Sequence, residues 1–296
     1  MRVAIEADFR ANERLLWGLG YRMTGTATDA DELVQETFLR AVEAPPPDDG
    51  RPLRPWLVRV CTNLARDRLR RRRRAAVWLP EPVPTETVAP KDGPDARYSL
   101  RESATFGFLV ALEALTPTQR AVLLLRDVFE QSPEEVAEAL GSSPGAVRVA
   151  HHKARRALAA YDAARHEPDP GATMEVFAAF FGALAAGDAA VAVQMLAPEV
   201  VLRSDGGGVY QAAKVPVFGP EKVVKFLLAV SERPLEWRVE VRDYNGGPAL
   251  VMEAAFDRGR LAPRAVVTAT LDRQGRIREL HWLLAPDRLA RVPAVG

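Results

Sequence analysis

Clusters of proline and glycine interrupt this chain of 296 residues and limit what it can fold into. The stretch PPPDDGRPLRP, residues 45–55, cannot be a helix or a central strand, because its prolines fix φ and lack an amide donor. A second stretch, from about 75 to 103, is rich in Pro, Gly, Thr and Asp without hydrophobic periodicity, and RHEPDPG follows at 165–171. These breaks predict separate packed blocks joined by linkers.

The overall charge says little about partners, because the formal net charge is only +1 and local clusters alone can be informative. The single cysteine, Cys61, lies in an apolar helical pattern, which excludes an internal disulfide and suits a reducing compartment. Acidic residues interrupt the N-terminal segment, and no apolar run approaches the ~18 residues of a membrane span. We therefore expect a cytoplasmic protein without membrane association, with Cys61 as a small buried hydrophobe.

The first block, from about Phe9 to Arg74, shows two helical patterns. In TDADELVQETFLRAVEA, apolar residues recur on one stripe, which predicts a helix over 29–44. Asp29, followed three residues later by Glu32, predicts a capping box at the start of that helix. The first block is therefore expected to be helical on both sides of the proline loop.

The second helix of this block begins near Trp56 and ends in RDRLRRRRR, where residues 66–74 hold seven arginines in nine positions. Apolar residues in its first half include Val60 and Leu64, in register with Trp56. We therefore predict that Trp56 packs into the core instead of serving as a stacking platform.

The second block, from Thr105 to Tyr161, is helical throughout and contains QSPEEVAEALGSSPGAVRVAHHKARRAL. Start and stop signals for two short helices occur at Ser132-Pro133, Glu135, Gly141 and Ser143-Pro144. Two short helices joined by a tight turn indicate a helix-turn-helix, whose second helix enters the major groove of DNA. A generic helical hairpin with a basic solvent face is the alternative.

The pattern changes in the last third of the chain. Helical segments are predicted at 172–186, 188–196 and 220–231, and strands at 199–203, 236–244, 248–256, 265–271 and 277–284. Hairpin turns are expected at Asn245-Gly246-Gly247 and Gln274-Gly275. Helices followed by an antiparallel run predict a separate α+β domain.

Three segments resemble, in order and spacing, the second and fourth conserved regions of an extracytoplasmic-function sigma factor: DADELVQETFLRA, WLVRVCTNLARDRLRRRRR and LTPTQRAVLLLRDVFEQSPEEVAEALGSSPGAVRVAHHKARRAL. The segments WLPEP (78–82), DGGG (205–208) and APDRL (285–289) resemble the subgroup that carries a fused SnoaL-like domain. The resemblance implies a multidomain fold with two all-α helical domains, the second with the helix-turn-helix, and a C-terminal α+β SnoaL-like cone domain. The implied divisions are region 2 at 1–76, a linker with WLPEP at 77–104, region 4 at 105–163, a linker at 164–172 and the SnoaL-like regulatory domain at 173–296.

The resemblance also implies roles for exposed residues. In this family the helix over 29–44 grips core RNA polymerase, and the implied contacts are Asp31, Glu32, Gln35 and Glu36. The next helix opens the promoter at the −10 element, where an amide can read a base edge and cations neutralise phosphates; the implied residues are Arg54, Arg59, Asn63, Arg66 and Arg70. The second helix of the helix-turn-helix reads the −35 element, through Arg148, Val149, His152, Lys153 and Arg156.

The linker holds a Trp-Leu pair between prolines, which would promote aggregation unless another surface covers it. We expect this segment to dock on the C-terminal domain or to follow polymerase; the predicted contact residues are Trp78, Leu79, Pro80, Glu81 and Pro82 with Asp205, Gly206, Gly207, Gly208 and Asp287. No helix start follows the three glycines directly, so we predict a tight turn or a close backbone contact instead of a phosphate site.

Two other functions stay open. The protein could be a helix-turn-helix transcription factor whose third domain senses a small molecule and which never binds polymerase. It could also be a cyclase- or isomerase-like enzyme, because SnoaL-like domains resemble cones in which an Asp or His performs acid–base chemistry; the candidates are His281, Asp205, Asp243, Tyr210 and Glu253. The favoured interpretation is a sigma factor that is no enzyme, needs no cofactor or metal, binds core polymerase and promoter DNA, and is modulated by its own C-terminal domain in a direction that the sequence leaves open.

Overall fold

The structure is a computed structural model that describes residues 2–44, 52–72, 77–89, 97–164, 166, 170–231, 237–254, 259 and 261–296. Most of the predicted proline loop, residues 45–51, lies outside the described residues. So do Arg73 and Arg74 of the arginine run and residues 165 and 167–169 of the predicted linker at 164–172.

The chain divides into two compact units. The first comprises Met1–Arg73, Val88–Ala104 and Ala111–Ala160, and the second comprises Arg74–Thr87, Thr105–Val110 and Tyr161–Gly296. The linker expected between the helical blocks is therefore divided between the two units. Its first part and the segment 105–110 belong to the unit that contains the C-terminal domain, and its later part belongs to the first unit.

Thirteen helices and six strands are present in the described residues. The helices are α1 (Arg2–Thr24), α2 (Ala27–Glu43), α3 (Arg54–Arg71), α4 (Thr85–Val88), α5 (Phe106–Ala111), α6 (Pro117–Asp127), α7 (Pro133–Leu140), α8 (Pro144–Ala157), α9 (Ala159–Ala164), α10 (Pro170–Ala185), α11 (Ala189–Gln194), α12 (Pro220–Ser231) and α13 (Pro286–Leu289). The strands are β1 (Leu196–Asp205), β2 (Val217–Phe218), β3 (Trp237–Tyr244), β4 (Gly247–Ala254), β5 (Arg264–Leu271) and β6 (Ile277–Leu283).

The start of α2 differs from the prediction. The helix begins at Ala27, and its N-cap is Thr26, whose side chain accepts a hydrogen bond of 3.1 Å from the backbone N–H of Asp29. The predicted capping box with Asp29 as its first residue is therefore wrong. Thr26 has the extended backbone that an N-cap requires, and Asp29 lies inside the first turn, where a negative charge favours the helix dipole.

The buried face of α3 also differs from the prediction. This helix buries Leu57, Val58, Cys61, Thr62 and Ala65, whereas Trp56, Val60 and Leu64 are only partly buried. The prediction of Trp56 as a core residue is wrong, because two neighbouring stripes of this helix are apolar and only packing against α1 selects between them. Burial raises the pKa of the Cys61 thiol to about 12, as expected for an inert, buried cysteine.

A buried arginine organises the interior of the first unit. Arg22 is 1% exposed and donates hydrogen bonds to the carbonyl oxygens of Gly18, Val88 and Leu100 and to the hydroxyl of Ser103. Burial lowers the pKa of Arg22 to about 10, so the side chain stays protonated at neutral pH. These bonds attach the later part of the linker to α1.

The predicted helix-turn-helix is present. Ser132 and Glu135 form a capping box at the start of α7, and Gly141 ends that helix with a left-handed φ of 61°. Ser143 caps α8 by accepting a hydrogen bond from the N–H of Ala146. The capping chemistry expected from the sequence is therefore confirmed at both helices.

Asp127, the last residue of α6, holds α8 in place. Its carboxylate is 4% exposed and accepts hydrogen bonds of 2.8 to 3.0 Å from His151 and Arg155, both on α8. Burial alone would raise the pKa of Asp127, but the two basic partners hold it below its usual value.

The second unit is built on one six-stranded sheet of order β2-β1-β6-β5-β4-β3. Strands β1 and β6 pair in parallel, and all other neighbours pair antiparallel. The five strands predicted from the sequence are confirmed, whereas the two-residue strand β2 lacks a sequence signal because Pro216 and Gly219 flank it. The expected turns also occur, since Asn245, Gly246 and Gly275 all have positive φ.

The two faces of this sheet are covered differently. One face packs against α10, α11 and α12 through an apolar core that includes Phe177, Phe180 and Leu227. The opposite face packs against Leu79 and Phe106, together with apolar residues of the C-terminal tail. Segments that lie well before the C-terminal domain in the chain therefore complete its second core.

We predict that Asp127→Ala destabilises the first unit by about 2 kcal/mol, because it leaves two donors of a largely buried site without their acceptor. The pKa of Asp127 is lowered on folding, so its contribution is full above pH ~4 and is lost as the pH falls below that value. Urea unfolding of the full chain at neutral pH and at low pH measures both effects. The matched control is Glu134→Ala, which breaks an exposed pair with Arg148 and is expected to cost below ~1 kcal/mol. Equal unfolding midpoints for Asp127→Ala and the parent at neutral pH would contradict the prediction.

Candidate functional site

The residues expected to bind polymerase lie on the outward face of α2. Glu32 and Gln35 are exposed, and Asp31 and Glu36 are partly exposed. Asp31 accepts a 2.6 Å hydrogen bond from the indole N–H of Trp17, which fixes its orientation. Leu39 lies one turn beyond Gln35 and is 55% exposed, so this surface combines acidic groups with one apolar side chain that the sequence analysis did not select.

The acidic face of α2 is tied to α3 through Arg68. The guanidinium Nη1 of Arg68 lies 2.7 Å from both Asp29 Oδ1 and Glu32 Oε2. Arg68, which belongs to the arginine run, therefore helps to hold α2 against α3.

The residues expected at the −10 element fall into two groups along α3. Arg54, Arg59 and Arg70 are exposed, whereas Asn63 and Arg66 are partly buried. Arg66 donates hydrogen bonds of 3.0 Å to Asn63 Oδ1 and to Thr118 Oγ1 on α6. In this structure the one amide expected to read a base is therefore engaged with its neighbour.

Ion pairs of Glu113 also join the end of α3 to α6, which the hydrogen bond from Arg66 to Thr118 connects as well. Glu113 pairs with Arg72 and, at 2.7 Å, with Arg120, which also donates to the carbonyl oxygen of Met23 in α1. Burial alone would raise the pKa of Glu113, but the two guanidinium groups hold it below its usual value. The carboxylate is therefore ionised at neutral pH and links the end of α3 to α6.

The residues expected at the −35 element share one solvent-facing side of α8: Arg148, Val149, His152, Lys153 and Arg156 are all exposed. Val149 is 56% exposed, which is unusual for valine in a helix and suits contact with a thymine methyl group. His151 and Arg155 point inward to Asp127, so the helix separates its structural cations from its exposed ones.

The WLPEP segment packs against the C-terminal domain within the second unit. Residues 79–83 are buried, and Trp78 is partly buried. The N–H of Leu79 donates a 3.1 Å hydrogen bond to Asp205 Oδ2. Arg288 donates to the Leu79 carbonyl oxygen and, at 2.7 Å, to Asp205 Oδ2, and its guanidinium lies 5.4 Å from the centre of the Trp78 ring. We call the four residues Trp78, Leu79, Asp205 and Arg288 the Asp205 clasp.

The glycines after Asp205 form a tight turn, as predicted. A Cβ at Gly206 would lie 2.3 Å from the carbonyl oxygen of Tyr210, and one at Gly207 would lie 2.9 Å from the Cβ of Ala285. The N–H of Gly207 also donates to Asp205 Oδ1 at 3.0 Å. Only glycine lets the backbone approach closely enough to hold the Asp205 carboxylate towards the linker.

Asp287 had been selected from the APDRL motif, but its neighbour makes the contacts. Asp287 is exposed, whereas Arg288 bonds the linker. Arg288 belongs to the same motif but is not predicted as a contact, because the motif alone does not show which side chain of a short helix faces inward.

A second set of contacts binds the linker to the turn between β3 and β4. Val83 and Asn245 exchange hydrogen bonds of 2.8 and 2.9 Å, and Thr85 donates a 2.7 Å hydrogen bond to Asp243 Oδ1. The N–H of Gly246 donates to the Thr85 hydroxyl. The sequence had marked this turn only as a hairpin, so its role in holding the linker was missed.

Of the five acid–base candidates of the enzyme alternative, Asp205 and Tyr210 line one cavity, and the other three are absent from its lining. Asp205 and Asp243 hold the linker, and Glu253 pairs with Arg264 at 2.8 Å. His281 is 1% exposed and packed under Phe106. A cavity of about 620 Å³ adjoins the glycine turn and is lined by residues that include Tyr210, Gln211 and Lys214.

Comparisons with known proteins agree with this arrangement. The family model of Sigma-70 region 2 matches residues 9–75, and that of Sigma-70 region 4 matches residues 107–158. These two matches coincide with the helical surfaces described above and define a sigma-70 type transcription factor.

The similarity to individual proteins extends further along the chain. The ECF RNA polymerase sigma factor SigJ of Mycobacterium tuberculosis is 36% identical over 97% of this chain and 94% of its own length. The probable ECF RNA polymerase sigma factor SigI of the same organism is 29% identical over 96% of this chain and 94% of its own length. The crystal structure of SigJ aligns with a TM-score of 0.74 and 31% identity, covering 98% of this chain and 99% of that one.

The chain therefore belongs to the extracytoplasmic-function family of RNA polymerase sigma factors. It directs transcription as a DNA-binding initiation factor of RNA polymerase, and its homologues are not enzymes. Within the described part of the chain, no helix combines the length and the apolar character that a membrane span requires.

We predict that Arg288→Met weakens linker docking by about 2 kcal/mol, because it removes a charge-assisted hydrogen bond and the cation over the indole ring. Emission and acrylamide quenching of Trp78, isolated as the difference between each protein and its Trp78→Phe partner, should shift towards those of a solvent-exposed indole. The matched control Arg273→Met changes an exposed arginine of the same domain. Unchanged quenching in Arg288→Met would show that the clasp does not depend on this arginine.

Proposed function

We propose that this sigma factor binds core polymerase through the outward face of α2, engages the −10 and −35 elements through the exposed faces of α3 and α8, and adjusts its output through the Asp205 clasp. The observation that carries the regulatory part is the burial of WLPEP on the C-terminal domain, where Leu79 and Arg288 converge on one carboxylate.

The polymerase surface is supported by its chemistry and by its position. Acidic side chains and one exposed leucine share the outward face of α2, opposite the buried stripe that packs on α1. Such a mixed face suits a partner surface that offers cations around an apolar contact.

The DNA surfaces are supported by the separation of structural and exposed cations. On α8 the outward residues Arg148 and Lys153 are exposed to solvent, while Arg155 neutralises Asp127. On α3 the exposed Arg54, Arg59 and Arg70 are available to phosphates, and Asn63 becomes available once Arg66 leaves it. We therefore assign base reading to Asn63 and phosphate contacts to the arginines.

The C-terminal domain is proposed to be the SnoaL-like regulatory module. Its six-stranded mixed sheet with three helices on one face is compatible with the cone fold that the sequence suggested. Because the segment 74–87 follows region 2 directly, holding it restricts how freely the two promoter-reading regions move. A small-molecule ligand, if the domain binds one, would act on the clasp most directly from the cavity beside Gly206.

We predict that Glu32→Lys combined with Glu36→Lys lowers co-purification with core RNA polymerase by at least about tenfold, because like charges replace complementary ones at the contact. Because Glu32 also pairs with Arg68, helix content and thermal unfolding of the variant are measured beside co-purification, and helix content should stay at the parental value. The control reverses two exposed acids elsewhere, Glu175 and Glu221, and should co-purify normally. Parental co-purification of the variant with both Glu32→Lys and Glu36→Lys would show that this face of α2 does not bind polymerase.

A second prediction concerns the clasp in transcription. Trp78→Ala and Arg288→Met should each change run-off transcription from a cognate promoter by at least about twofold, in the same direction. The double variant should differ little from either single variant, because both changes remove the same contact. Val191→Ala, an exposed change on α11, serves as control. Additive effects of Trp78 and Arg288 would show that they act through separate contacts.

A further inference from the structure

A polar cluster lies on the sheet face that carries the linker, and it begins at Arg203, two residues before Asp205 on β1. The pairing of β1, β6 and β5 places Arg203, His281 and Thr268 side by side. Glu279 pairs with Thr270 in the next row on the same face of the sheet. We call these five residues the polar floor.

The first turn of α5 covers the polar floor. The Phe106 ring is 3% exposed and lies 5.8 Å from the His281 ring, centre to centre. A Cβ at Gly107 would lie 3.4 Å from both Glu279 Oε2 and Thr270 Oγ1. The helix backbone therefore lies close to the floor at this position, and even a Cβ would be in contact with both oxygens.

The charges of the polar floor are close but incompletely satisfied. Glu279 lies 3.8 Å from Arg203 Nη1 and 3.4 Å from His281 Nε2. Burial alone would raise the pKa of Glu279, but these neighbours lower it to about 2, so the carboxylate is charged. Among the described residues, Arg203 Nη1 and His281 Nε2 are buried and find no hydrogen-bond acceptor of proper geometry.

These unsatisfied buried groups distinguish the polar floor from an apolar core that stays buried. A buried polar atom without a hydrogen-bond partner carries an unfavourable desolvation cost, and that cost is recovered when the group meets water. The apolar contact of Phe106 holds α5 down, while the floor beneath it gains from hydration when α5 leaves. Such opposing contributions are typical of a contact that opens and closes.

We propose that the polar floor is a releasable docking site for the first turn of α5, so that the C-terminal domain holds both the linker and the start of region 4. The clasp holds the segment that follows region 2, and the floor holds residues 105–110, which begin region 4. Release of α5 frees the start of region 4 from the C-terminal domain and removes one restraint on its separation from region 2. The consequence for promoters rests on the proposed function, because it assumes that regions 2 and 4 bind the two promoter elements.

Gly107→Leu in the full chain tests the docking site, because the leucine side chain extends beyond a Cβ that would already contact Glu279 and Thr270. Hydrogen exchange of the peptide 105–111 should accelerate by about tenfold or more, while peptides of β5 and β6 keep the protection of a folded sheet. The control is Gly182→Leu in α10, where the described residues leave open space around the glycine. Phe106→Ala provides a second variant that releases α5 without adding bulk.

The same variants are then compared in run-off transcription with core polymerase on promoters whose spacer between the −10 and −35 elements is lengthened or shortened by one or two base pairs. We expect output on the altered spacers, relative to the best spacer, to rise by about threefold in Gly107→Leu and Phe106→Ala, because a released tether accepts more separations. Gly182→Leu should keep the parental profile.

Unchanged exchange of 105–111 in both variants would overturn the docking site. Faster exchange with an unaltered spacer profile would overturn its role in spacing. Failure of the proposed function is distinguishable, because the parent protein would then support no promoter-specific run-off although the exchange result would stand.

Discussion

The second unit depends on the hydrogen bonds that the carboxylate of Asp205 accepts. One oxygen fixes the glycine turn through Gly207, and the other accepts hydrogen bonds from Leu79 and Arg288. A charged acceptor shared by three donors is stronger than separate neutral bonds, and it is shielded here by the apolar residues around Leu79. The linker is thereby made part of a core that a chain without WLPEP would leave open.

The first unit is held together by polar groups as much as by apolar ones. Arg22 attaches the later linker to α1, and Arg120 with Glu113 joins α6 to the ends of α1 and α3. Buried charged networks are demanding, because every member must be satisfied, but they select one arrangement among many apolar ones. A contact surface built this way can separate into water at lower cost than an apolar surface, which is compatible with the proposed contacts of the two regions with separate promoter elements.

Local signals in the sequence predicted much of the fold. The helix-turn-helix, its caps and five of the six strands follow from capping residues, left-handed glycines and hydrophobic period, all of which act over a few neighbouring residues. The two failures have different causes. Thr26, not Asp29, caps α2, because Thr26 has the extended backbone that an N-cap requires. Trp56 is only partly buried, because packing against α1 selects the neighbouring apolar stripe of α3.

The sequence by itself determined the family, the exposed basic face of α8 and the need for something to cover WLPEP, because these follow from residue order, helical period and the cost of an exposed indole. Only the tertiary structure decided that Arg288, not Asp287, closes the clasp, that Asn245 grips Val83, and that α5 rests on the polar floor. Such contacts join residues more than a hundred positions apart. Their geometry depends on where the sheet carries each side chain, and no local pattern in the sequence records that position.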